Sequence, residues 1–189
     1  NAINYRANIR ALADLGVASV FAVNVVGSMV PQHGSGSLFV LDDFIEFTQG
    51  RQCTFFDRPG EVTHTDMSSI YDPELRSILI RAAELEGQEV TNTATYVCTN
   101  GPRFETPAEI RMFTQLGAHV VGMTGYPEVA LAREAGLRYA SIAVVSNLAA
   151  GVTDDVIEEK EIWQALEATK DPVFRILKRA TQLSTSGEC

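Results

Sequence analysis

Residues 134–145, Glu134-Ala135-Gly136-Leu137-Arg138-Tyr139-Ala140-Ser141-Ile142-Ala143-Val144-Val145, hold a helix end and a strand in immediate succession. Glycine is the usual residue for the left-handed position that closes a helix, and the apolar, β-branched run behind it reads as a buried strand. The same succession occurs three more times. Ala13-Asp14-Leu15-Gly16 precedes Val17 to Val26, Glu84-Leu85-Glu86-Gly87 precedes Val90 to Val97, and Gln115-Leu116-Gly117 precedes His119 to Met123. Helix alternating with buried strand predicts an α/β domain, a mixed, largely parallel sheet flanked by helices on both faces.

Other segments fit around this frame. Asp72-Pro73 supplies a cap and a first helical position for a helix whose Leu75, Ile78, Leu79, Ala82 and Leu85 keep helical spacing. Gly34-Ser35-Gly36 marks a loop, and Ser37 to Phe47 reads as a strand ending in an acidic turn at Asp42 and Asp43. Residues 50–70 lack a sustained period and suit a long connection able to form an interface. Glu158 to Leu183 reads as a long helix interrupted near Asp171-Pro172, with Ser184 to Cys189 as a frayed tail.

Length and composition, 189 residues with 46% hydrophobic, predict a single domain over 1–189 with a substantial core. The longest apolar runs are strand-length, far below the ~20 residues of a membrane span. A formal charge of −9 without a Lys/Arg cluster argues against nucleic acid and anionic membranes as partners. Cys53, Cys98 and Cys189 form neither a paired framework nor a CxxC, so they read as free thiols in a reducing, cytoplasmic compartment. His33, His64 and His119 lack metal-ligand spacing and read as surface or packing residues.

In open α/β sheets ligands bind at the carboxyl ends of strands. The predicted exits are Asn24 to Ser28, Cys98 to Glu105, Met123 to Tyr126 and Ser146 to Ala150. In Gly101-Pro102-Arg103-Phe104-Glu105-Thr106-Pro107-Ala108-Glu109, Thr106 can cap, Pro107 pre-sets the first turn and Glu109 completes a capping box, opening a helix from Pro107 to Leu116. Phe104 and Glu105 sit on the rigid lead-in. On spacing alone Glu105 reads either as a ligand carboxylate or as a solvated glutamate favoured by the helix dipole. Thr124 precedes Gly125-Tyr126-Pro127-Glu128, a predicted helix start whose amides and hydroxyl suit phosphate. Asn147 as a turn residue, Asn24 to Ser28 as an ordinary turn, and Met123 and Phe104 as core residues are the plain alternatives.

The Gly101 to Glu109 run, together with Met123-Thr124-Gly125-Tyr126-Pro127-Glu128-Val129 and Tyr139-Ala140-Ser141-Ile142-Ala143, resembles the signature of the trimeric purine nucleoside phosphorylases and methylthioadenosine phosphorylases. The resemblance extends from about Ile3 to the C-terminal helix. It implies reversible phosphorolysis of a purine nucleoside in purine salvage, with inorganic phosphate as co-substrate, no organic cofactor and no metal, in a homotrimer or dimer of trimers. Residue by residue it places Glu105, Asn147, Phe104 and Ala149 at the base, Met123 under the ribose, and Thr124, Asn24 and the Val25 amide at phosphate. Asn147 then acts catalytically on the departing purine. His64 aligns with a histidine that family trimers present near a neighbour's pocket. Glu105 with Asn147 and Ala149 points to 6-oxopurines, since adenine-type members carry aspartates at the latter two positions.

Two expectations qualify this. Family members begin earlier, with a strand, a glycine-rich turn and an Arg/His segment contacting phosphate and ribose, so the resemblance implies an N-terminally incomplete domain. Nucleoside-type members also place a histidine near the start of the last helix for the 5′-hydroxyl, where Glu158 to Ile162 offers none. A methylthioinosine or methylthioadenosine phosphorylase is therefore the alternative enzyme, and a non-catalytic purine-binding fragment the alternative of another class.

Overall fold

The computed structural model describes residues 3–186. In chain order the elements are helix α1 (Tyr5–Asp14), strands β1 (Ser19–Ser28), β2 (Leu38–Val40) and β3 (Asp43–Phe47), helix α2 (Pro73–Leu85), β4 (Thr95–Thr99), α3 (Pro107–Gln115), β5 (Val120–Gly122), α4 (Gly125–Glu134), β6 (Arg138–Leu148) and α5 (Glu159–Ser186). All four predicted helix closures form. Gly16, Gly87, Gly117 and Gly136 have φ of 75°, 66°, 86° and 74°. The next residues, Val17, Gln88, Ala118 and Leu137, donate their amides back to Leu12, Ala83, Phe113 and Ala132, so each end is a Schellman closure.

The six strands form one mixed sheet in the order β2-β6-β1-β5-β4-β3. The β1–β6, β3–β4 and β4–β5 ladders are parallel, while β1–β5 and β2–β6 are antiparallel. Strand β6 is buried on both faces, which is why its sequence is apolar without alternation. Ala140, Ile142 and Val144 pack with Leu79 of α2 and Ile176 of α5, whereas Tyr139, Ala143 and Val145 pack with Val129 and Leu131 of α4. Burying each such side chain contributes about 1.5–3 kcal/mol.

A strand does end before the acidic pair at 42–43, β2 stopping at Val40, but a second strand starts at Asp43 itself. Val40 pairs with Ile142 of β6, the Leu41 amide donates to Ser141, and the Asp42 amide donates to Ala94, so the chain leaves one sheet edge and joins the other. This step curls the sheet, and it separates β2 from β3. Pro172 does not interrupt the last helix: α5 runs through it. The proline deprives the Ala168 carbonyl of its amide donor, but Ala165, Val173, Ile176 and Ala180 are all buried along α5, and that packing holds both halves in line. The expected strand from Val90 starts only at Thr95, after an isolated bridge at Thr91. Ser184 to Ser186 belong to α5, and Cys189 lies outside the described residues.

Asp72 caps α2 through the Leu75 amide at 2.9 Å and receives Arg138 of β6 at 2.8 and 2.9 Å. The Arg138 hydrogen bond holds the Asp72 carboxyl below the usual carboxylate range. Because the folded value is depressed, this contribution is full above the ordinary range and is lost as pH falls through the folded value. Asp72→Asn keeps the cap acceptor but loses the charge pair. It should lower the urea midpoint near pH 7 and shrink the further drop between about pH 5 and pH 3. An acid limb as steep as wild type would remove Asp72 from that role.

Candidate active site

Strands β1 and β5 run in opposite directions and pair at Gly27 with Val121 and Ser28 with Val120. The carboxyl end of β5 therefore points back along β1 towards Val25 and Asn24. These two residues lie inside β1, which continues to Ser28, rather than at its exit as expected from sequence. Likewise β6 runs on to Leu148 and includes Asn147. Arg138 donates its amide to Ala18, and Ala149 donates to Ser28, so the backbone groups of even-numbered β1 residues face β6. In a parallel ladder alternate residues bond to opposite sides, and the Val25 amide is thereby directed away from β6. The Val25 carbonyl lies 3.0 Å from where a side chain on Gly122 would begin, at the end of β5.

Thr124 follows this exit. Its side-chain oxygen lies 3.5 Å from the Asn24 amide nitrogen, and buried Asn24 is itself fixed by the Ser141 hydroxyl at 2.7 Å. The backbone amides of Thr124 and Gly125, expected to be open for phosphate, both donate to the Tyr96 hydroxyl at 3.2 Å. Tyr126 is extended (φ −109°, ψ 139°), so the helical turn begins after it and no helix terminus lies at Thr124. The exposed Thr124 hydroxyl is what remains for a ligand. Tyr96 fits because its neighbours are glycines: a Cβ on Gly122 or Gly125 would lie 2.7 or 2.8 Å from the tyrosine. Burial pushes the Tyr96 phenol well up, so it stays protonated.

At the exit of β4 the Thr99 hydroxyl donates to Glu105 Oε1 at 2.7 Å. The capping box is complete, with Thr106 accepting from the Glu109 amide and Glu109 accepting from the Thr106 amide. Arg103 grips the Glu109 carboxylate at 2.8 Å on both oxygens, and this pairing lowers that carboxyl to about 2. Glu105 is thus half-buried beside a fixed helix start, and Phe104, 45% exposed, offers an open ring next to it. Gly101, at φ 64°, packs on Met123: a Cβ there would sit 2.3 Å from its sulfur. The Gly101 loop and the Met123 turn are therefore in contact.

Asn147 accepts the Ser146 hydroxyl on Oδ1 at 2.7 Å and donates from Nδ2 to the Leu148 carbonyl at 2.8 Å. Its orientation is fixed, and the second Nδ2 hydrogen is free to donate. Ala149 is buried, Gly27 packs against both residues, and Gly151 packs against Pro107 at the start of α3. The predicted residues line more than one cavity. Met123 and Thr124 border a space of about 690 Å³, Asn147 one of about 520 Å³, and Glu105 one of about 160 Å³. Asn100 and Gly101 border both the first and the third. His64 is exposed in the long connection and borders none of the three.

Sequence reasoning missed Tyr96, hidden inside a strand, and Arg51, one of two arginines in the irregular connection. Arg51 donates to the carbonyls of Thr99 (3.0 Å), Met123 (2.8 Å) and Tyr126. Neither has a sequence signal, because each is defined by partners far along the chain. Cys98 is buried, which raises its thiol and keeps it protonated as a donor to the Tyr126 carbonyl at 3.6 Å. Cys53 is exposed and free. Among the described residues no group of three His, Cys, Asp or Glu side chains is arranged to hold a metal, and no helix is long and apolar enough to cross a membrane.

An α/β sheet with polar side chains collected at opposed strand ends is a frame shared with known proteins. The chain belongs to the phosphorylase superfamily, whose family model matches residues 1–181. A probable S-methyl-5′-thioinosine phosphorylase of Methanothermobacter thermautotrophicus is 44% identical over 188 residues, 99% of this chain and 65% of the relative. The 6-oxopurine nucleoside phosphorylase of Pyrococcus furiosus is 43% identical over 187 residues, 96% of this chain and 71% of the relative. A mutant adenosine/methylthioadenosine phosphorylase from Schistosoma mansoni, solved with tubercidin, superposes with a TM-score of 0.93 at 32% identity, covering 97% of this chain and 72% of that one. The chain thus spans about two thirds of the length of the curated relatives it matches.

Tyr96→Phe should destabilise the fold by about 1–3 kcal/mol, because two amides lose their acceptor. Urea denaturation checks this, and an unchanged midpoint would mean that water replaces the hydroxyl.

Proposed function

We propose that the protein carries out reversible phosphorolysis of 6-oxopurine nucleosides, giving free base and ribose 1-phosphate. The observation that carries the reading is the Glu105 carboxylate, oriented by Thr99 beside a capped helix start. A 6-oxopurine presents N1–H, and guanine a 2-amino group as well, to one carboxylate; adenine presents a lone pair at N1. Glu105 Oε2 is left to accept from such donors. A buried carboxylate facing the wrong base can discriminate by on the order of 10⁴.

In this mechanism a phosphate oxygen attacks the anomeric carbon as the glycosidic C–N bond breaks, and the bonding electrons pass into the purine. The spare Asn147 N–H donates to N7 as that atom gains charge, which lowers the barrier more than it tightens the ground state. The Val25 amide and Thr124 hydroxyl hold phosphate, with Asn24 orienting Thr124. Met123 lies under the sugar and Phe104 against the base, and small Ala149 leaves room beside Asn147. No covalent intermediate with the protein is needed. The reading includes a cytoplasmic homotrimer or dimer of trimers with His64 near a neighbouring site, acting in purine salvage on a single nucleoside-phosphorylase domain.

The two curated relatives described above differ in name at the sugar's 5′ position and agree on a 6-oxopurine. Val156 and Ile157, apolar residues bordering the same cavity as Asn147, favour a second reading with S-methyl-5′-thioinosine as substrate. Competition between inosine and its 5′-methylthio analogue separates the two.

Phosphate-dependent release of hypoxanthine from inosine should exceed release of adenine from adenosine by at least about 10²-fold; preferential adenine release overturns the specificity. Glu105→Gln should raise KM and lower kcat for inosine, together costing about 10²-fold in kcat/KM. Unchanged kinetics would remove Glu105 from the site.

A further inference from the structure

We propose that Arg51 is a positioning residue that ties the base side of the site to its sugar and phosphate side. This inference rests on the phosphorolysis reading for its kinetic consequences. Arg51 comes from a connection without regular elements and borders the 690 Å³ cavity with Gly101, Met123 and Thr124. Its Nη2 donates to Thr99 at 3.0 Å and Met123 at 2.8 Å and lies 3.5 Å from the Asn100 carbonyl, while Nη1 donates to Tyr126 and lies 3.7 Å from the Cys98 sulfur. Nε is buried without a partner. Among the described residues no carboxylate stands within ion-pair distance of it.

A guanidinium taken out of water without a carboxylate depends on oriented dipoles for its stability. Here those dipoles are carbonyls at the ends of two strands, where ladder partners run out. Thr99 and Asn100 begin the loop that carries Phe104 and Glu105, whereas Met123 and Tyr126 bracket Thr124. One rigid fork therefore spans both segments, fixing the distance between the groups that hold the base and those that hold sugar and phosphate. Strand exits are otherwise the segments that open most readily, and a displacement of about 1 Å at a reacting centre can cost about 10²-fold in rate. A lysine ammonium is a point donor and cannot span the same set. Tyr5, with its ring 5.9 Å below the guanidinium carbon, supports the fork from α1.

The test compares Arg51→Lys and Arg51→Met with wild type in the full chain, using amide exchange without ligand and steady-state phosphorolysis of inosine. Both variants should exchange at least about tenfold faster in residues 99–105 and 123–126 while β6 keeps its protection. Arg51→Lys, which preserves the charge and is the variant expected to fold normally, should lose about tenfold or more in kcat with KM for inosine changed less than about threefold. Wild-type exchange and kcat in Arg51→Lys overturn the proposal, as does faster exchange spread evenly over the sheet, which marks a plain stability role. If the wild-type chain does not phosphorolyse nucleosides, the functional reading fails, and the exchange pattern still decides whether Arg51 ties the two exits.

Discussion

Strands β1 and β5 run in opposite directions and pair at Gly27 with Val121 and Ser28 with Val120. Everything at the candidate site depends on that contact. Had β5 joined β1 in parallel, its exit would have pointed past Ser28, and Met123 and Thr124 would stand beside Asn147 alone. The reversal instead brings Thr124 back to Asn24 and Gly122 to Val25. The seam is closely packed at Gly27, where a Cβ would meet Asn147, Val121 and Ala149 at ordinary contact distances of 3.5–3.6 Å. The site is therefore a seam between the parallel β6–β1 pair and the parallel β5-β4-β3 set, and side chains from both reach it.

What was legible in the sequence follows from range. The helix closures at Gly16, Gly87, Gly117 and Gly136 and the capping box at Thr106 are local, decided within a few residues by φ preference and hydrogen-bond reach, and the structure has all of them. The break at Asp42 was legible, but the transfer to the other sheet edge was not, because nothing nearby tells a strand to leave β6 for β4. The continuity of α5 through Pro172 was hidden for the same reason: local chemistry argued for a stop, and burial against β6 and α2 outweighed it. At the site, Glu105 and Thr124 could be noticed because they flank recognisable starts. Tyr96 and Arg51 could not, since their partners lie about 28 and 48–75 positions away.

The Tyr96 hydroxyl also explains how an acidic chain can offer a place to an anion. With a net charge of −9 the protein has no broad positive field, so any anion must be met by local dipoles. At Thr124 the backbone amides are already occupied by a neutral phenol, and burial keeps it from ionising. This leaves the Thr124 hydroxyl and the outward Val25 amide as discrete donors rather than a continuous nest. Arg51, on the border of the 690 Å³ cavity, adds a positive charge with no carboxylate within ion-pair distance among the described residues. In the proposed reaction such an arrangement would attract phosphate without gripping it, which suits an anion that leaves as part of a product in one direction and returns in the other.

In the proposed reaction, selectivity for the base would depend on how rigidly the Glu105 carboxylate is held, not on its mere presence. A glutamate free to rotate would swing into water when faced with adenine, and the unfavourable contact would cost little. Glu105 has less freedom: Thr99, the last residue of β4, holds one oxygen, and the Thr106–Glu109 box anchors the chain on its other side. The Thr99 hydroxyl has one hydrogen, and at 2.7 Å from Glu105 against 3.5 Å from the Gly122 carbonyl it is committed to the carboxylate. A mismatched base then meets a lone pair that cannot turn away. In the proposed reaction the discriminating energy would then lie in the scaffold that runs from β4 through Thr99 to Glu105 as much as in the carboxylate itself.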